Sequence, residues 1–276
     1  MTSDIWMGYL VDAEADATIV YSPFQLQDTR VYGPDSDATT LAVAAILHRQ
    51  NQEEVNCVTV PEGVDESTVA IACGVTVNGS MPNFVVDWEI LVGDQAIVVL
   101  ARSGVNIEVL DVDFAIDVDS EFQRSIDNAW HEELQANHVS QGAYVSKAQY
   151  EEAAFSRLSL QGQQHGDILV WPPRYSKEKN GENAQATHLK KYGRVASWTT
   201  LSPAGAPSEF SLRAPLLGGI STVLLRLDEG PQGVFLVVDD EDTAYEFDMP
   251  MELVLRRIYA QEGFIRYGLK ARAVVS

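Results

Sequence analysis

Few residues in this chain have the types and spacing that chemistry requires. His131-Glu132-Glu133-Leu134-Gln135 begins like a zinc-peptidase helix, which places two imidazoles one turn apart on a shared face. Gln135 stands where the second imidazole belongs, so the likeness ends there. His131 and His138 could share a helix face, but their acidic surroundings fit a solvated helix better than a metal site. Cys73, in Ala-Ile-Ala-Cys-Gly-Val, is a conceivable nucleophile. A reactive thiolate needs a base and a lowered pKa, whereas the end of a helix opposes negative charge. Cys73 and Cys57 therefore both read as small core residues. Gly218-Gly219 reads as a tight turn before a strand, and no Gly-rich phosphate loop is present. Asp239-Asp240-Glu241-Asp242 reads as a solvated turn, without the glycine and spaced ligands of a calcium loop. No catalytic residue and no metal site is assigned, and no cofactor is implied.

Charge divides the chain into unlike parts. Residues 1–140 carry 4 Lys+Arg against 24 Asp+Glu, whereas residues 190–276 carry 10 against 11. A step of this size marks a domain boundary, since each surface is shaped by what it meets. Strong acidity disfavours nucleic acid and anionic membranes as partners. Two cysteines, no secretion signal at the N-terminus and no apolar run long enough to span a bilayer point to the cytoplasm.

The elements that would position any site follow from periodicity. Asp37 can cap a helix over Ala38 to Arg49, with Leu41, Ala45 and Ile46 inward. Glu54 to Val60 reads as a strand, Ser67 to Cys73 as a helix ended by Gly74, and Phe84-Val85-Val86 and Ala96 to Leu100 as buried strands. Gly93-Asp94 marks a turn between those two strands. The alternation over 107–118 predicts a strand with one wet face. Ser120 and Gln123 have capping-box spacing ahead of a stripe of Phe122, Ile126, Trp130 and Leu134. Gln141-Gly142 breaks that helix, and a second box at Ser146 and Gln149 opens another, to about Leu160. From Gly162 to Lys191 regular pattern disappears around an island, Ile168-Leu169-Val170-Trp171-Pro172-Pro173-Arg174. Five short strands follow: Arg194 to Leu201, Ile220 to Leu227, Gly233 to Val238, Met251 to Tyr259 and Phe264 to Val275. They suit a small closed barrel.

The order of Gly193-Arg194-Val195-Ala196-Ser197-Trp198, Val223-Leu224-Leu225-Arg226-Leu227-Asp228-Glu229-Gly230, Met249-Pro250-Met251-Glu252-Leu253-Val254-Leu255-Arg256-Arg257 and Gly263-Phe264-Ile265-Arg266-Tyr267-Gly268-Leu269-Lys270 resembles a known family. It is similar to the zinc-ribbon/OB-fold accessory proteins that associate with thiolase-superfamily enzymes. Tyr150 to Leu160, Gly166 and Pro172-Pro173-Arg174 look like that family's helix leading into its ribbon. The ribbon's cysteine pairs are missing: Gln163-Gln164-His165-Gly166 and Tyr175 to Gly181 stand in their places. The resemblance thus implies a degenerate, zinc-free ribbon, held by packing alone or loosely ordered. The N-terminal half resembles thiolases, hydroxymethylglutaryl-CoA synthases above all, in Gly33-Pro34-Asp35-Ser36-Asp37-Ala38-Thr39-Thr40-Leu41-Ala42, in Val58-Thr59-Val60 with Ser67 to Gly74, and in Gly93-Asp94-Gln95-Ala96-Ile97-Val98-Val99-Leu100. On that alignment the segment with the catalytic cysteine is deleted.

The resemblances imply an α/β, truncated thiolase-like domain over 1–140, a linking helix and degenerate ribbon over 141–191, and a mainly β OB-fold barrel over 192–276. They imply an accessory subunit, non-catalytic or co-catalytic, that docks on a thiolase-superfamily enzyme and shapes or bridges its acyl-CoA channel. Trp198, Phe264 and Tyr267 would line an aromatic mouth, with Arg266 and Lys270 near the CoA phosphates or, on a plainer reading, on a solvated rim. Two alternatives stay open: a stand-alone enzyme of acyl-CoA metabolism using Cys73 or an Asp/His pair, and an OB-fold binder of single-stranded nucleic acid.

Overall fold

The computed structural model describes residues 4–79, 88–109, 112–135, 154–173, 185–261 and 263–274, in two units, Met1–Asp127 and Asn128–Ser276. The expected strand at Phe84-Val85-Val86, the break at Gln141-Gly142, the capping box at Ser146 and residues 174–184 lie outside the described residues.

In the first unit the strands are β1 (Asp4–Trp6), β2 (Tyr9–Ala13), β3 (Ala17–Tyr21), β4 (Phe24–Leu26), β5 (Thr29–Val31), β6 (Cys57–Thr59), β7 (Thr76–Val77), β8 (Trp88–Val92), β9 (Ile97–Arg102) and β10 (Ile116–Asp117). Seven of them form one sheet in the order β1-β2-β3-β9-β8-β6-β7, and β10-β4-β5 form a small second sheet. Helix α1 (Ala38–Gln50) starts at Asp37, whose carboxylate accepts from the Thr40 amide while the Thr40 hydroxyl accepts from the Asp37 amide. Burial on α1 goes beyond the expected face: every residue from Thr39 to Ile46 is buried, as the small and apolar run permits. Helix α2 (Glu66–Cys73) ends on Gly74 at φ 67°, a left-handed cap that glycine adopts without strain. It joins the parallel pair β6 and β7. Gly93-Asp94 is a turn, as expected, but the strand before it in the antiparallel hairpin is β8 (Trp88–Val92), which the sequence did not reveal.

Two sequence expectations in this unit are corrected. Residues 107–118 do not make a long strand; among the described residues there, only Ile116–Asp117 pairs. Buried Arg30 donates to the carbonyls of Val112 (2.7 Å) and Phe114 (3.0 Å), which takes up acceptors that a ladder would use. Ile107 and Val112 pack instead on the sheet face formed by Leu10, Ala17, Ile19, Tyr21, Val99 and Ala101. Helix α3 (Ser120–Glu133) is capped one residue earlier than expected, by Asp119, whose carboxylate accepts from the amides of Glu121 and Phe122. The Gln123 side chain turns to Asp127 and the Tyr32 carbonyl.

In the second unit, residues 154–158 are helical, in line with the expected helix end. The supposed patternless stretch holds a three-stranded antiparallel sheet of β11 (Gln161–His165), β12 (Ile168–Val170) and β13 (Gln185–His188), with β11 central. Backbone ladders between Gln-rich strands leave no apolar alternation to read, which is why the sequence concealed them. The barrel strands are β14 (Tyr192–Leu201), β15 (Ile220–Leu227), β16 (Gln232–Leu236), β17 (Pro250–Gln261) and β18 (Phe264–Ala273). All five were legible. They pair in the order β16-β15-β14-β17-β18, each pair antiparallel. A parallel bridge between Val237 and Ala271, with the Val238 amide 3.1 Å from the Ala271 carbonyl, brings the outer strands together. The sheet is therefore nearly closed, an OB-like barrel. Register shifts at Val195/Ser197 and Arg257/Tyr259 coil the long strands. On β17 both faces are buried at the centre, since Val254 and Arg256 are as inaccessible as Leu253 and Leu255.

Removing the α1 cap by Asp37→Ala should cost about 1 kcal/mol, read as a lower urea midpoint at unchanged slope.

Candidate functional site

Strand β18 carries four of the five residues expected at a binding mouth, and the structure separates them. Arg266 and Tyr267 are buried and line a cleft of about 540 Å³. Phe264 is half exposed, and the Arg266 guanidinium lies 5.9 Å from its ring centre. Lys270 does not reach the cleft: it is 1% exposed, and its Nζ lies 2.8 Å from Asp239. Trp198, on β14, is also absent from the cleft lining and packs edge-on against the exposed ring of Phe247 at 5.1 Å. The solvated-rim reading of Arg266 and Lys270 is thus corrected for both, since each is almost wholly buried and Lys270 is turned to Asp239.

The cleft itself is built from three parts of the second unit. Barrel strands β16, β17 and β18 give the floor, the helical turn at 154–158 gives one wall, and Trp171 with Pro172 closes the top. Trp171 stacks on Phe235 at 5.6 Å with an 18° tilt, and its indole nitrogen donates to the Ser156 carbonyl at 3.1 Å. Gly233 permits this seating, because a side-chain carbon there would come within 2.6 Å of the indole. Five polar side chains line the otherwise largely apolar space: Arg157, Gln232, Tyr259, Arg266 and Tyr267. Burial pushes the Tyr259 phenol above its ordinary pKa, while the Arg266 charge pulls it down, Glu209 adds to the rise and Arg157 opposes it. Sequence reasoning missed Arg157, Trp171 and Tyr259 as lining residues. The only signal was the isolated Trp-Pro-Pro island.

The acidic run after β16 is the opposite of a solvated turn. Asp239 meets Lys270 at 2.8 Å and Arg213 at 3.7 Å, Asp240 meets Arg256 at 3.7 Å, and Glu241 meets Arg272 at 2.6 Å. Arg213 also donates to both oxygens of Glu133 at 3.0 Å and to the Ile258 carbonyl at 2.9 Å. Its guanidinium sits 3.8 Å from the centre of the Trp130 ring, which Arg257 approaches at 4.3 Å. Burial raises the Glu133 carboxyl above its ordinary pKa, against the pull of Arg213.

The candidate nucleophile is not equipped for the role. Cys73 ends α2, is buried, and points its sulfur at the Val43 carbonyl 3.9 Å away. Cys57 is buried in β6, and neither cysteine is in a disulfide. His131 is exposed, and His138 lies outside the described residues. Among the described residues, no three His, Cys, Asp or Glu side chains are grouped to hold a metal ion, and no helix is long and apolar enough to cross a membrane.

No protein-family model matches this chain, and no curated protein matches it. A solved structure described as "Ltp2-ChsH2(DUF35) aldolase" is similar over 49% of this chain and 100% of that chain, at 21% identity and a TM-score of 0.35.

Arg213→Met leaves the Glu133 and Asp239 carboxylates without their shared cation, and should cost about 3–5 kcal/mol in denaturant titrations. The pH dependence has a definite sign. A carboxyl whose pKa rises on folding binds its proton more tightly in the native state, so its contribution is fully present below the ordinary value of 4.5 and is lost as pH rises through the folded value. Glu133→Gln removes that loss. Its stability relative to the parent should therefore improve as pH climbs above 4.5, measured as urea midpoints at successive pH values.

Proposed function

We propose that this chain is an accessory subunit of a thiolase-superfamily enzyme acting on acyl-CoA, non-catalytic or co-catalytic, which docks on that enzyme and shapes or bridges its acyl-CoA channel. The carrying observation is a group of three large aromatic side chains left exposed on the barrel and its loops. Trp198 is 38% exposed, Phe247 72% and Phe264 48%. Exposed aromatics on a rigid β scaffold are the side chains that anchor protein interfaces. The order of barrel motifs in the sequence supports the choice of partner. The acidic N-terminal unit would dock elsewhere or keep the assembly soluble.

The stand-alone enzyme is the weaker reading, because Cys73 faces a carbonyl acceptor rather than a base. The nucleic-acid reading is weaker still, since a phosphate backbone rewards cations that the acidic chain lacks.

The test is co-expression with a thiolase or synthase encoded beside this chain. Joint purification is expected, and Trp198→Ala with Phe247→Ala should weaken the association at least tenfold, about 1.4 kcal/mol, without shifting the melting temperature. A monomer that ignores the enzyme, and whose melting is unmoved by acyl-CoA, would sink the proposal. Within the complex, Cys73→Ala should leave turnover unchanged.

A further inference from the structure

The cleft beside Trp171 occupies the stretch where the barrel seam does not close. Strands β16 and β18 are the outer strands of the five-stranded sheet, and among the described residues they pair at the parallel bridge of Val237 with Ala271 alone. Carried back along both strands, that register would set Phe235 against Leu269 and Gly233 against Tyr267. These residues line the cleft instead. The alternation of an antiparallel ladder fixes which way the main chain of β16 points. The Leu227 amide bonds the Pro231 carbonyl at 2.9 Å and the Val237 amide bonds the Ser221 carbonyl at 3.1 Å, so every second residue from Pro231 to Val237 is turned to β15. Val234 and Leu236 therefore turn their amides and carbonyls to the seam. Val238, next in that series, gives its amide to the Ala271 carbonyl at 3.1 Å. Among the described residues, no hydrogen bond joins the main chain of Val234 or Leu236 to a partner across the seam. Exposed edges are commonly blunted by charge, yet β16 reads Gln-Gly-Val-Phe-Leu and leaves Val234 69% exposed.

We propose that this open edge receives an extended peptide segment of a partner protein, added as a strand along β16. The main chain selects the occupant. Amides and carbonyls that recur at a strand's two-residue repeat are matched by another extended backbone. Such a strand continues the pairing that Val238 and Ala271 begin. Its side chains alternate: those on the face of Gly233 and Phe235 enter the cleft against Trp171, and those on the face of Val234 stay in solvent. The cleft, about 540 Å³ and largely apolar, has room for a large aliphatic or aromatic side chain. A second copy of this chain fits worse. The cleft face of its own β16 offers Gly233, which has no side chain, and Phe235, whose ring is already stacked on Trp171.

The proposal stands apart from the docking reading, which uses Trp198 and Phe247, and is untouched if no thiolase or synthase co-purifies. Amide hydrogen exchange on the full chain reads its premise: Val234 and Leu236 should exchange faster than Gly233 and Phe235. Random peptides of about eight residues, enough to span β16, are then selected on the immobilised full chain, and the tightest is synthesised for calorimetry. It should slow exchange at Val234 and Leu236. Methylating its backbone nitrogens one at a time should weaken binding about tenfold at alternate positions and less at those between. Val234→Pro removes one seam-facing amide and leaves the β15 ladder intact, so binding should fall about tenfold or more with little change in melting temperature. Val234→Thr, which keeps the amide, should bind like the parent. Slow exchange of Val234 and Leu236 in the free chain, no peptide binding at millimolar concentration, or a selected peptide that leaves both amides unprotected would each overturn the proposal. So would an equal effect of methylation at every position, or a dimer of the chain that Val234→Pro dissociates.

Discussion

Asp239 is where the second unit is held shut. It lies two residues past Val237, whose bridge to Ala271 closes the barrel seam, and it pairs with Lys270, the residue beside Ala271. The backbone closure and the ionic closure are thus one event in space. Arg213 then extends the contact from Asp239 to Glu133, tying the loop before β15 to the end of α3. Each of these ions loses several kcal/mol of hydration on burial, which mutual attraction offsets only when all partners are present. Little net stability follows from such a cluster, but discrimination does. A one-residue slip of β18 along the seam would turn Lys270 to the opposite face and leave Asp239 facing an apolar neighbour.

This dependence explains how the sequence could reveal the strands and conceal their seam. Five apolar runs with Gly, Pro and Asp between them suffice to read β14 to β18, because each signal is local. Asp239-Asp240-Glu241-Asp242 also has a local signal, and it misleads: consecutive acids look solvated. Their cations, Arg213, Arg256, Lys270 and Arg272, stand on a loop and two other strands. A clue was present in β17 and β18, where Arg256 and Lys270 stand among aliphatic residues, but one sequence does not say which acids they meet. The small β11–β13 sheet was hidden for a different reason. Gln161 to His165 forms its sheet through backbone pairing, and backbone pairing has no side-chain alphabet.

The first unit follows the same economy of cations. Residues 1–140 contain only Arg30, Arg49, Arg102 and Arg124 as basic side chains. Arg30 is committed to carbonyls of Ser22, Val112 and Phe114. Arg49 is committed to Thr18, Glu53 and the carbonyls of Glu14 and Ala17, with Trp88 under its guanidinium. Arg102 pairs with Glu53 and Asp16. Three of the four positive charges therefore serve structure, and few cations are left to offset the acids at the surface. Such a surface repels polyanions and favours a basic partner by steering rather than by contact energy.

Two glycines make room for the small β11–β13 sheet and for the Trp171 segment that follows β12. Gly233 leaves space for Trp171 to lie on Phe235, and Gly162 lets β11 pass close to Leu169 and the carbonyls of Val170 and Thr187. A metal would fix a ribbon through four short bonds, each demanding a ligand of the right type. A stacked indole fixes it through area, which tolerates small shifts and leaves an apolar floor exposed beneath. The cleft beside Trp171 is that floor. Its existence thus follows from how Trp171 is seated: had Gly233 carried a side chain, the indole would be displaced and the wall of the cleft would go with it.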